Sequence, residues 1–79
     1  MRTPHVVLYT RIGCHLCDDA LALLRSYGCH PTLIDIDKSP EHLAQFNECV
    51  PVIEIDGRIR FKGRVSGVLL RRLLTHANR

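Results

Sequence analysis

Cys14 and Cys17, separated by His15 and Leu16, are the residues of this chain best suited to making and breaking bonds. Two thiols at that spacing support either reversible disulfide exchange or ligation of a soft metal. The thiolate is the reactive form in both, so what surrounds Cys14 decides the chemistry. His15 either exchanges a proton beside the sulfurs, since its unperturbed pKa is about 6.5, or simply fills an exposed helix start. Two further cysteines, Cys29 and Cys49, bring the total to four. Cys49, two residues before Pro51, is either a spare resolving thiol or a loop cysteine turned away. Cys29, after Gly28, reads as a half-buried inert thiol.

The elements that must position these sulfurs follow from periodicity. His5 to Thr10 holds the short bounded run Val-Val-Leu-Tyr, the pattern of a buried strand. Arg11-Ile12-Gly13 supplies a turn. From Leu16 the apolar residues Leu16, Ala20, Leu23, Leu24 and Tyr27 recur at helical spacing, and Gly28 is placed to end that helix. Thr32 to Asp37 predicts a second strand. Ser39-Pro40 starts a short helix whose apolar stripe is Leu43 and Phe46. Pro51 to Ile55 is a third strand, and Asp56-Gly57 turns it into a fourth, Arg58 to Phe61. Simple alternation there puts Ile59 and Phe61 toward the core and Arg58, Arg60 and Lys62 on the opposite face. Those cations either bind an anionic substrate or blunt a sheet edge. Val68, Leu69, Leu73 and Ala77 mark a closing helix, with Arg71 and Arg72 toward water.

The first two strands must pair in parallel across their helix, and the last two antiparallel across a two-residue turn. The expected class is α/β: a mixed four-stranded sheet, β-α-β-α-β-β-α, with helices on its faces. In that order the Cys-x-x-Cys sits where a strand ends and a helix begins. Free amides of a first helical turn and the helix dipole both favour an anion there. Such settings lower a cysteine pKa from about 8.5 to roughly 3.5–7.5. Cys17 lies one turn on, within bonding reach of Cys14. Dithiol exchange is the leading reading. The alternatives are an inert core pair, a zinc or iron–sulfur carrier site completed by Cys29, His30 or Cys49, and a partner-binding adaptor without turnover.

The chain has 79 residues, enough for one domain, 1–79, with a modest core. It is 46 % hydrophobic and 24 % charged, which excludes a disordered tail, and too sparse in cysteine for a disulfide-stapled miniprotein. A net charge of +3 without basic-aromatic interleaving does not ask for nucleic acid. No apolar run approaches a membrane span, and no secretory leader is apparent, so the cytoplasm and a monomer are expected.

These segments resemble the glutaredoxin branch of the thioredoxin superfamily. The match runs through Tyr9-Thr10-Arg11-Ile12-Gly13-Cys14-His15-Leu16-Cys17 and Val50-Pro51-Val52 to the hairpin and Gly63. It is closest to short glutaredoxin-like proteins with a Cys-His-Leu-Cys site. The resemblance implies the thioredoxin fold, Cys14 as nucleophile and Cys17 as resolving thiol. It implies a cis bond at Val50–Pro51, with Val50 pairing to substrate, and Arg11 approaching a glutathione carboxylate. It further implies a protein or small-molecule disulfide as substrate, with no bound cofactor and with glutathione or a reductase as electron donor. Two departures stand out. His15 replaces the usual proline, and the family's Gly-Gly-x-x-Asp reads Lys62-Gly63-Arg64-Val65-Ser66. Ser66 would contact glutathione's amino group more weakly than an aspartate.

Overall fold

The computed structural model describes residues 4–77, with side chains through Thr75. Its elements in chain order are β1 (Val6–Thr10), α1 (His15–Ser26), β2 (Thr32–Asp35), a 3₁₀ turn (Ile36–Lys38), α2 (Pro40–Phe46), β3 (Val52–Ile55), β4 (Arg58–Lys62) and α3 (Gly67–Ala77). The sheet order is β2-β1-β3-β4, with β1 and β2 parallel and the other two pairs antiparallel. This is the expected mixed sheet. The second strand ends two residues early because the Asp35 carboxylate accepts from the Asp37 amide at 3.0 Å and turns the chain into the 3₁₀ segment.

Alternation along the central strands divides the core in two. Val6 and Leu8 of β1, Ile53 and Ile55 of β3, and Phe61 of β4 pack against Ala20 and Leu24 of α1 and Leu70 and Leu74 of α3. Val7, Tyr9 and Val52 face the other way, against Ile36 and Phe46. Tyr9 lies 4.7 Å from the Phe46 ring and 5.3 Å from that of His42, centroid to centroid. Its hydroxyl donates to Glu54 at 3.4 Å, and burial, reinforced by that carboxylate, raises the phenol pKa. Helices thus cover both faces.

Local chemistry sets the helix ends. Ser39 caps α2, accepting from the His42 amide, with Pro40 at the first position. Ser66 caps α3 in the same way, its hydroxyl accepting from the Leu69 amide at 3.3 Å. At the end of α1 the amides of Gly28 and Cys29 donate back to the carbonyls of Arg25 and Leu24, the paired bonds of a Schellman close.

Three expectations about side-chain facing are corrected. In α1 the buried stripe is Cys17, Ala20 and Leu24, whereas Leu16 and Tyr27 are exposed. In α3 Leu70 and Leu74 are buried while Val68 and Leu69 face solvent; the side chain of Ala77 lies outside the described residues. In β4 the simple alternation fails. A bulge opposite Ile53 and Glu54 pairs Phe61 with Ile53 but Ile59 with Glu54, so Arg60 has no opposite number. The extra residue moves Ile59 off the Phe61 face, and Ile59 is 38 % exposed. Arg58, opposite Ile55, and Lys62, opposite Val52, therefore lie on different faces as well.

The bulge makes unequal demands on two neighbouring apolar residues. Phe61→Ala is expected to cost about 3–5 kcal/mol of unfolding free energy, and Ile59→Thr less than about 1 kcal/mol. Urea titration of both variants checks this; equal losses would contradict the register.

Candidate functional site

The turn after β1 aims the first cysteine. The Cys14 amide donates to the Arg11 carbonyl at 3.2 Å, closing a four-residue turn in which Gly13 has φ 85°, a conformation other residues rarely adopt. Cys14 emerges with extended backbone (φ −90°, ψ 107°) as the N-cap of α1. Its Sγ occupies the position of a capping oxygen and accepts from the Cys17 amide at 3.1 Å. Its carbonyl accepts from Asp18 at 3.1 Å, starting the helix.

Cys17 sits one turn along, its Cα 5.2 Å from that of Cys14, and the two are disulfide-linked. Their accessibility differs sharply. Cys14 is half-buried, whereas Cys17 is 1 % exposed and heads the buried stripe of α1. Asp18 and Asp19 follow, both exposed, and they oppose an anion at Cys14. Water weakens that opposition: a full charge 4 Å away is worth only about 1 kcal/mol there. A hydrogen bond to a charged group contributes about 1.5–3 kcal/mol, so the amide contact dominates.

The opposite wall comes from the chain before β3. The Val50–Pro51 bond is cis, Pro51 is buried, and its carbonyl accepts from the Gly63 amide at 2.7 Å. Leu16, Ala20 and Leu23 of α1 face Pro51, Gly63 and Arg64 across a groove of about 270 Å³. The exposed Leu16, between the two cysteines, thus borders the cis-proline. His15 is exposed and Val50 half-buried.

Arg11 is more heavily engaged than a free anion hook. Its guanidinium grips the Asp37 carboxylate through Nε (2.9 Å) and NH2 (2.8 Å). It also donates to Asn47, through NH1 to the carbonyl at 3.0 Å and NH2 to Oδ1 at 2.8 Å. The Arg11 hydrogen bonds hold the Asp37 carboxyl below its ordinary range, against a smaller desolvation effect. Neither Asp37 nor Asn47 stands out in the sequence as a partner for residue 11, because both lie in turns more than twenty-five residues away.

The other two cysteines are placed differently from each other. Cys29 lies beyond the C-terminal end of α1, and the twelve residues of that helix span about 18 Å. It is half-buried, and burial pushes its thiol up. Cys49 is half-buried against the cluster of Tyr9 and Phe46. Among the described residues no group of three or more His, Cys, Asp or Glu is placed to hold a metal ion. No described helix is long and apolar enough to cross a membrane.

The family model described as Glutaredoxin-like domain (DUF836) matches residues 5–75. The chain belongs to this glutaredoxin-like family. A structural-genomics target protein from X. campestris superimposes with a TM-score of 0.76 and 28 % identity, over 91 % of this chain and 97 % of the other. A protein of Nitrosomonas europaea gives 0.81 and 24 %, covering 94 % of each chain. Buckwheat glutaredoxin, solved as a complex with glutathione, gives 0.68 and 17 %, over 95 % of this chain and 80 % of that one. No curated protein matches in sequence. The glutaredoxin-like chain therefore has the thioredoxin fold, with its cysteine pair at disulfide distance.

Because Arg11 lowers the Asp37 pKa, the stability from this pair is complete above the unfolded carboxylate value of about 3.9. It is lost as pH falls through the lower folded value. Replacing Arg11 with Met is expected to raise the Asp37 titration midpoint, read from its side-chain carboxyl shift by NMR. An unmoved midpoint would show that the contact is absent in solution.

Proposed function

We propose that this glutaredoxin-like protein is a thiol–disulfide oxidoreductase that reduces protein or small-molecule disulfides with Cys14 and Cys17. The observation behind this reading is the unequal exposure of two linked sulfurs at a helix mouth. An incoming disulfide can reach Cys14 and not Cys17, so attack begins at residue 14. The Cys14 thiolate attacks one substrate sulfur, forming a mixed disulfide and expelling the other half of the substrate as a thiolate. Cys17 gives its proton to solvent and attacks the Cys14 Sγ, which expels the second substrate thiolate and closes the Cys14–Cys17 bond. The substrate gains two electrons and the protein loses two.

The groove between Leu16 and Pro51 is the natural seat for the substrate chain, and we assign substrate contact also to their chain neighbours His15 and Val50. A substrate carboxylate at Arg11 would have to displace Asp37 or Asn47, so we assign Arg11 to bracing the site as well as to anion contact. Resetting the pair takes one dithiol or two monothiol equivalents. Glutathione or a reductase supplies them, and a reducing compartment such as the cytoplasm fits that demand. Ser66 is committed to capping α3, which favours a reductase or a loosely held glutathione.

Cys14→Ser is expected to abolish reduction of a mixed-disulfide substrate, and Cys17→Ser to accumulate a covalent adduct at residue 14 visible by mass spectrometry. Thiolate absorbance of the reduced protein should titrate well below the free-cysteine value of about 8.5. Turnover by Cys14→Ser, or ionisation at the free value, would overturn the reading.

A further inference from the structure

Charge is unevenly divided along this chain. Residues 57–79 hold seven of the eleven Lys and Arg side chains and none of the eight Asp and Glu. The first 56 residues hold the remaining four cations and all eight acids, so the two parts carry net charges of +7 and −4, which sum to the overall +3. The fold gathers the described cations of the basic part about one edge of the sheet, with Arg58 on the face that α3 covers and Lys62 on the opposite face. Strand β4 is an outer strand of the sheet, and α3 packs over it through Leu70, Leu74 and Phe61.

Six cations decorate this edge: Arg58, Arg60 and Lys62 on β4, Arg64 just after it, and Arg71 and Arg72 on α3. All six are exposed, and none is ion-paired to a described residue. The row begins at the redox site. Arg64 lines the groove shared by Leu16 and Pro51, and Lys62 lies opposite Val52, next to the cis-proline. From Lys62 back to Arg58 the strand runs about 13 Å, and the chain turns at Gly63 to bring Arg64 to the groove.

Edge protection accounts for charges on β4 but not for Arg64, Arg71 and Arg72, which are off the strand. Nucleic acid could also meet such a surface, but it has no disulfide to present to Cys14, and the one aromatic interleaved with the six cations, Phe61, is buried in the core and offers no face for stacking. Unneutralised charge beside a reactive site attracts opposite charge and raises encounter rates by about 10- to 1000-fold at low salt.

We propose that the β4–α3 side is a docking surface for acidic protein partners, selecting disulfides that are flanked by Asp and Glu. This rests on the redox reading above. An acidic segment lies along Arg58 to Arg64 while its disulfide enters the groove at Leu16. The sulfur chemistry is unchanged; the surface sets which disulfide arrives and in what orientation.

The test uses pre-reduced protein in single turnover, with three peptide disulfides that differ only in flanking Glu, Lys or Ser. Wild type is expected to reduce the Glu peptide at least about 10-fold faster than the Lys peptide at low salt. That ratio should fall toward one at 0.5 M salt, where the screening length is only a few ångströms. Arg58→Glu with Arg60→Glu, remote from the groove, should remove the preference and leave the Ser peptide unaffected. Equal rates for Glu and Lys peptides, or a preference that survives the double substitution, would overturn the docking surface. Failure on all three peptides would instead remove the redox reading. The surface is then read separately, by amide shifts of the oxidised protein with a disulfide-free Glu-rich peptide. Shifts confined to residues 58–64 and 67–72 support it. No shifts there, tighter binding of a duplex oligonucleotide, or salt-sensitive self-association in their place would each overturn it.

Discussion

The hydrogen bond from the Cys17 amide to the Cys14 sulfur is the contact on which the redox reading depends. A helix leaves its first amides without partners, and most proteins answer with an oxygen from Ser, Thr, Asp or Asn. Here sulfur answers. An ionised sulfur is a better acceptor than a protonated one, so the helix end that needs a cap and the thiol that needs activating meet each other's requirement. The Gly13 turn and the Arg11 brace can be understood as devices that bring the strand into this cap at the correct angle.

The second constraint is that one cysteine must be reachable and its partner must not. The α1 stripe achieves this by starting at Cys17, with Ala20 and Leu24 below it. Leu16, one residue earlier, turns outward and becomes part of the groove wall. A shift of a single position thus converts an apolar side chain from core filler to groove wall and makes a thiol part of the hydrophobic face. Burial restrains Cys17 from meeting solvent disulfides, while its Cα, 5.2 Å away, keeps it in reach of Cys14.

Much of this was legible in the residues. Strand and helix order, the serine cap at Ser39 and the hairpin at Asp56-Gly57 all follow from local rules, and the structure has them. The cis bond at Val50–Pro51 came only through family resemblance, since nothing in the local sequence requires it. What could not be read depends on distant partners. Arg11 finds Asp37 and Asn47 only because the 3₁₀ turn and the end of α2 converge on it. The facing of Leu16, Val68 and Leu69 is not legible because hydrophobicity alone does not say which of two adjacent apolar residues a helix turns inward. The facing of Ile59 is hidden as well, because a bulge breaks period-two counting and leaves no mark in the composition.

That extra residue at Arg60 also bears on how the sequence can change. A strand with an unpaired residue in its middle offers an approaching chain an interrupted ladder, so uncontrolled sheet extension is discouraged by shape as well as by charge. Solubility then does not depend wholly on the side chains at 58 and 60. Exchanging those two side chains would leave the kink beneath them in place, because it is a matter of backbone register.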